Sequence, residues 1–158
     1  MAAGMSGPVL FAYDGSAHSR AAIERAGELL RPGPAVVATA WNTFEGQASA
    51  ALMALPGHVV QGAIGDLDSA NREEAEELAA KGAELARAAG FEAEPRALRS
   101  AGPYFAALLD CADELDASAV VLGSRGRSAM AAAVLGSVST GVLHRTRRPV
   151  LVVRADEE

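Results

Sequence analysis

Val9-Leu10-Phe11-Ala12-Tyr13-Asp14-Gly15-Ser16 is the stretch on which the fold class turns. A short, unbroken apolar run closed by turn residues is the pattern of a strand buried on both faces, as in a parallel sheet. Ser16 or Asp14 stands where a helix N-cap belongs, and the residues beyond repeat at helical spacing, with Ala22, Ile23, Ala26, Leu29 and Leu30 on one face. Pro32-Gly33-Pro34 stops that helix, and residues 35–41 (AVVATAW) read as a second buried strand. Strand, helix, strand is the unit that the rest of the chain repeats.

Residues 42–68 form a long connection for an α/β unit, of the kind that is usually functional or mobile. Within it Gly46 to Gly65 carries no charge, but Gln47, Pro56, Gly57, His58 and Gln61 make it poor material for a membrane span. It reads as a loop with one short helix at about 48–55. A strong helix is expected over about 69–89, with Ala75, Leu78, Ala79, Gly82, Leu85, Ala86 and Ala89 inward, Glu77 and Lys81 outside at i, i+4, and Gly90 as the C′ residue. Residues 91–98 alternate with charges and contain Pro95, which cannot donate to a ladder, so that strand belongs at a sheet edge. Gly102-Pro103 opens a helix carried by Phe105, Leu108, Leu109, Ala112 and Leu115; a buried strand follows at 119–122, a helix at about 137–145, and a last strand at 149–153. The order βαβαβαβαβ, five strands and four helices, predicts an α/β fold: an open parallel sheet with helices on both faces. No repeat and no second composition regime interrupts it, so one domain is expected over 1–158, with its core at about 8–154.

Composition narrows the function. Half of the 158 residues are hydrophobic and only seven are aromatic, so the core is aliphatic and rich in Ala. The net charge of −6 argues against a dedicated nucleic-acid binder. Cys111 is the only cysteine, which excludes a disulfide framework and a thiolate zinc site within one chain. Met1 to Pro8 has neither the basic nor the apolar part of a signal peptide, so a cytoplasmic protein with no membrane partner is expected. Lys81 is the only lysine and is followed by Gly82 within a helical pattern, which removes the Walker A class of NTPase.

The charge is unevenly spread. From Val121 to Arg154 there are six Arg (125, 127, 145, 147, 148, 154) and no Asp or Glu. In open parallel sheets ligands sit at the carboxyl ends of strands where the strand order reverses. Two strand ends stand out: Tyr13-Asp14-Gly15-Ser16, and Gly123-Ser124-Arg125-Gly126-Arg127-Ser128. Glycines let a ligand approach backbone N–H donors closely, and Gly136-Ser137-Val138-Ser139-Thr140 opens a helix whose N-terminus is a second anion site. Each piece alone is consistent with a plain tight turn; together they describe a pocket for two or three phosphates.

Gly123-x-x-Gly126, nine residues, then Gly136-Ser137 resembles the G-2x-G-9x-G-[S/T] signature of the ATP-binding branch of the universal stress proteins. The likeness runs from about Pro8 to Arg154, is loose across 42–68, and includes Asp14-Gly15-Ser16 and Pro149-Val150-Leu151-Val152-Val153. The resemblance implies a Rossmann-like sheet in the order 3-2-1-4-5 with the nucleotide between strands one and four. It implies that Ala12, Tyr13 and Asp14 flank the adenosine and that backbone near Ala40 meets the adenine. Gly123, Ser124, Arg125, Gly126 and Arg127 would hold ribose and phosphate, with Gly136, Ser137, Val138 and Ser139 on the phosphates. It further implies ATP with Mg2+ or Mn2+ held mainly by phosphate oxygens, no metal site of the chain's own, and a homodimer through Val150, Leu151, Val152 and Val153.

The residues themselves leave simpler assignments for the rest. His18, His58 and His144 show no metal spacing and read as surface residues; Cys111 reads as core; Trp41 reads as packing at the pocket rim; Arg145, Arg147 and Arg148 suit the C-terminal dipole of the last helix. With no acid in the phosphate loop, Arg125 and Arg127 supply charge but no base, so the expected protein is a stress-response regulator, a nucleotide-dependent dimeric switch with at most slow ATP hydrolysis. Two alternatives stand beside it: a nucleotide-independent dimeric interaction module, and a nucleotide-dependent enzyme of the wider superfamily. The protein partner and the stress are not legible.

Overall fold

Along the first strand, β1 (Val9–Ala12), successive side chains enter two different cores: Leu10 on one face of the sheet and Phe11 on the other, both fully buried. The two-residue period of a strand makes this unavoidable once both faces are covered. In this computed structural model residues 6–44, 54–126 and 135–155 are described. They build α1 (Ala17–Leu29), β2 (Pro34–Asn42), α2 (Gly57–Ala88), β3 (Glu92–Ser100), α3 (Tyr104–Glu114), β4 (Ala119–Gly123), α4 (Ser137–Arg145) and β5 (Val150–Val153).

The five strands pair only in parallel, in the order β3-β2-β1-β4-β5. Val9 stands between Ala35 of β2 and Ala119 of β4, so the order reverses about β1 and a crevice opens between the carboxyl ends of β1 and β4. On one face α1 (Ala22, Ile23, Ala26) and α2 (Ala83, Ala86) cover Phe11, Val37 and Val121, with Phe91 meeting Phe11 edge to face at 5.1 Å. On the other face α3 (Leu108, Cys111, Ala112) and α4 (Val142) cover Leu10, Val36, Ala38, Val120 and Leu122. Pro95 lies on β3, an edge strand, opposite Val37, as its missing N–H requires. Among the described residues no helix is long and apolar enough to cross a membrane.

Several expectations from the sequence change. The helix expected at 69–89 starts twelve residues earlier: α2 spans 32 residues, Gly57–Ala88, and occupies much of the supposed linker. Its first fully buried residue is Ala75; before it the inward positions Val60, Ala63, Ile64, Asp68 and Asn71 are half-buried and turn polar, which breaks the apolar stripe that periodicity detects. They are held by backbone bonds from Val59 and Val60 to the carbonyl of Pro56, and tethered where the carboxylate of Asp68 accepts from the Phe44 N–H at 2.7 Å. Of the short helix expected at 48–55, residues 48–53 lie outside the described residues and Ala54-Leu55 stand in the turn before Pro56. Leu29, read as inward, is 63% exposed at the end of α1.

Arg148 does more than face a helix dipole. It is 14% exposed and donates to Asp113 and Asp116 at 3.1 Å each and to the Ala117 carbonyl at 2.7 Å, tying the entry of β5 to the end of α3. Burial opposes its charge, but the hydrogen bonds to Asp116 and Asp113 outweigh that and raise its pKa. Arg145 lies over the Phe105 ring, 4.6 Å from its centroid, a cation–π contact.

Gly82 marks the tightest helix–sheet approach: a Cβ there would come within 2.7 Å of Val37 Cγ1 and 2.8 Å of the Tyr13 ring. The Gly82→Val variant is therefore expected to lose about 2 kcal/mol of stability, overpacking outweighing any relief of helix propensity, read as a lower urea midpoint. Burial pushes the Cys111 thiol above its ordinary pKa, against the pull of the nearby Arg96 guanidinium. A thiol reagent at pH 8 is expected to leave Cys111 unmodified in the native protein and to label it fully once the chain is unfolded.

Candidate functional site

The crevice at the β1/β4 switch point is a cleft of about 780 Å³. Its walls come from the ends of β1 (Ala12, Tyr13, Asp14) and β2 (Ala38 to Phe44), from α2 (Asn71, Glu74, Ala75, Leu78), from the turn after β4 (Gly123, Arg125, Gly126), and from the start of α4 (Gly136 to Ser139). The size suits a small-molecule ligand, and the lining combines apolar walls with a few polar groups.

The end of β1 is built by short-range hydrogen bonds. The Tyr13 N–H donates to the Ala38 carbonyl at 2.9 Å, and the Thr39 hydroxyl donates to the Tyr13 carbonyl at 2.7 Å, so the strand is held in line for one residue past its ladder. Gly15 then takes φ +81°, a left-handed conformation that favours glycine. Of the two residues placed to cap α1, Ser16 does so: its hydroxyl accepts from the Ser19 N–H at 3.2 Å. Asp14 instead closes the turn, one carboxylate oxygen accepting from the Ser16 N–H at 2.9 Å. That leaves its side chain at the cleft wall, where a Cβ placed on Gly126 would stand 2.8 Å from Asp14 Oδ2.

The turn after β4 is clamped by backbone. Gly123 lets the first turn of α1 close on the sheet, since a Cβ there would meet the His18 backbone at 2.6 Å and the Ser19 nitrogen at 2.8 Å. Ser124 is completely buried beneath the turn and does not line the cleft, unlike the ligand-facing position implied by resemblance. Its N–H donates to the Val153 carbonyl at 2.7 Å, and its carbonyl accepts from the Gly136 N–H at 2.6 Å and the Ser139 hydroxyl at 3.1 Å. Two segments separated by the intervening loop are thereby pinned side by side. Gly136 is the N-cap of α4 and offers no side-chain cap, and no acid occupies the first turn. The N–H groups of Ser137, Val138 and Ser139 have no partner within the helix and lie at the cleft, an anion-binding arrangement.

Of the residues singled out from sequence, Ala12, Tyr13, Asp14, Ala40, Gly123, Arg125, Gly126, Gly136, Ser137, Val138 and Ser139 line this one cleft. Arg127 lies outside the described residues. His18, read as a surface residue, is half-buried: its Nδ1 accepts from the Ala155 N–H at 2.9 Å and lies 3.4 Å from the Ser124 hydroxyl. Trp41 lines the cleft as a rim residue. Asn42, Asn71, Glu74 and Leu78 were not legible as site residues, because the register that brings α2 over the end of β2 leaves no local pattern. The loop itself holds no acid, while Asp14 and Glu74, from other elements, bring carboxylates to the same cleft. Among the described residues no group of three or more His, Cys, Asp or Glu is placed to hold a metal ion.

Solved structures share this architecture. The hypothetical protein MJ0577 superposes with a TM-score of 0.75 at 18% identity, covering 98% of this chain and 99% of its own. A universal stress protein in complex with cAMP gives a TM-score of 0.63 at 29% identity, covering 95% of this chain and 98% of that one. The universal stress protein from Archaeoglobus fulgidus in complex with dAMP gives 0.64 at 22% identity, covering 94% and 98%. No curated protein sequence matches the chain. The family model described as the universal stress protein family matches residues 5–154, nearly the whole length, and the chain belongs to that family.

Proposed function

We propose that the cleft binds an adenine nucleotide, ATP with Mg2+ or Mn2+, and that the protein is a stress-response regulator whose dimer is switched by that nucleotide. The observation that carries the reading is the backbone clamp at Ser124, which holds the Gly123–Gly126 turn against the uncapped N-terminus of α4. The N–H donors at the start of α4 and the backbone of the Gly123–Gly126 turn then line one volume, and the complementary ligand is anionic. The apolar wall at Ala12, Ala38 and Ala40 suits a planar base. A relative at 29% identity is described in complex with cAMP, which supports an adenine ligand over other phosphate esters.

In this reading Ala12, Tyr13 and Asp14 flank the adenosine and backbone near Ala40 meets the adenine. Gly123, Arg125, Gly126 and Arg127 hold ribose and phosphate, and Gly136, Ser137, Val138 and Ser139 receive the phosphates; Ser124 acts by holding these segments together. A divalent ion would be carried mainly by the phosphate oxygens of the nucleotide. Val150 to Val153 form an edge strand with an open ladder, and pairing with the same strand of a second copy would close it. Hydrolysis is slow in this reading. The phosphate turns hold no acid or base, and arginine charge without a water-positioning group gives little rate.

Equilibrium titration tests the site. Wild type is expected to bind Mg·ATP saturably, and Gly126→Ala to weaken it at least about tenfold, roughly 1.4 kcal/mol, because the added methyl enters the backbone approach and displaces the Asp14 carboxylate. Thermal stability should hold, since Gly126 is exposed. No saturable binding of any adenine nucleotide would establish the interaction-module reading instead. ADP release followed over hours is expected to stay barely above buffer; rapid multiple turnover would show that Asp14 or Glu74 serves as a catalytic group.

A further inference from the structure

We propose that Asn42 is the residue that selects the base, its carboxamide pairing with the amino edge of adenine. This rests on the nucleotide reading and adds to it the group that distinguishes adenine from guanine. Asn42 ends β2, a strand that runs several residues past the end of β1 and forms the cleft wall across from the phosphate turns. Its Oδ1 is buried and has no hydrogen-bond partner among the described residues. Buried acceptors of this kind are nearly always satisfied, so one left unpaired on a residue of the cleft wall points to a group that a ligand completes.

Neighbouring residues do not meet the demand. Asn71 of α2 donates its amide to the backbone carbonyl of Asn42, at 3.4 Å, not to the side chain. Ser100, opposite Asn42 in the β2–β3 register, turns its hydroxyl to the Gly102 carbonyl at 2.8 Å. The unmet group is the carboxamide oxygen, an acceptor, and it calls for a donor on the ligand. The backbone of Asn42 is pinned by β3 on one side and Asn71 on the other, so the side chain is presented from a rigid wall.

A carboxamide carries a donor and an acceptor side by side. Adenine presents its exocyclic amine as donor next to a ring nitrogen acceptor, and Asn pairs with that edge in two hydrogen bonds. Guanine puts a carbonyl where adenine has the amine, an edge that the carboxamide meets only when turned over; held with Oδ1 at that place, it faces an acceptor and stays unsatisfied. A site built on a hydrogen bond of this type rejects the analogue that cannot make it.

Competition binding of ATP and GTP to wild type, Asn42→Ala and Asn42→Asp, with melting curves for each, decides the proposal. Wild type is expected to prefer ATP by roughly tenfold or more. Asn42→Ala should bring the two affinities within about threefold of one another, and Asn42→Asp should move the preference toward GTP, whose ring N–H and amine match an acceptor-only carboxylate. A merely structural Asn42 would weaken both ligands together and leave their ratio alone, and that result overturns the proposal while the nucleotide site stands. Wild type that binds GTP as well as ATP overturns it equally. Failure of wild type to bind either nucleotide removes the nucleotide reading itself. Should Asn42→Ala melt early, the near-isosteric Asn42→Asp still reports the ratio.

Discussion

The hydrogen bond from the Gly136 N–H to the Ser124 carbonyl, 2.6 Å long, is the constraint on which the site depends. It is backbone to backbone, so side-chain chemistry at either residue does not make it. Ser139 reinforces it by donating to the same carbonyl, and Ser124 is itself held from below by the Val153 carbonyl of β5. The end of the sheet, the turn after β4 and the first turn of α4 are thus one unit. Because Ser124 is fully buried, any movement of the turn would expose unsatisfied backbone groups, which keeps the donors of α4 aimed at a fixed place.

Electrostatics acts locally in this molecule. The net charge of −6 is an average over the chain, and residues 121–154 hold six arginines and no acid. Arg148 and Arg145 are spent on structure, one tying β5 to α3 and the other lying over Phe105. Arg125 faces the cleft, together with the positive end of α4. Asp14 and Glu74 bring carboxylates to the same cleft, Asp14 beside the Gly126 turn itself, so the cleft is not uniformly cationic.

The alternation of strands and helices was legible because each strand is buried on both faces and reads as an unbroken apolar run, while α1, α3 and the second half of α2 each bury a stripe at helical spacing. The edge position of β3 was legible from Pro95 alone. The first half of α2 was not: before Ala75 its inward positions, Val60, Ala63, Ile64, Asp68 and Asn71, are only half-buried and turn polar after Ile64, so the apolar stripe breaks off. Asp14 and Gly126 are far apart in the chain and share no pattern, so their contact distance could not be read from either. Ser124 shows the converse, a residue within a recognisable motif whose side chain turns away from the cleft that the motif surrounds.

The amino-acid sequence by itself determined the class of fold, the two glycine turns and the place at the sheet where they meet, because buried strands, proline and glycine impose their geometry locally. The family was also legible in the spacing of Gly123, Gly126 and Gly136. Only the tertiary structure decided which polar groups share the cleft. Asn42 with its unpaired Oδ1, Asn71 and Glu74 come together at the site through the packing of α2 against the end of β2. That packing is a sum of small contacts between segments distant in sequence, and no short stretch of the chain encodes it.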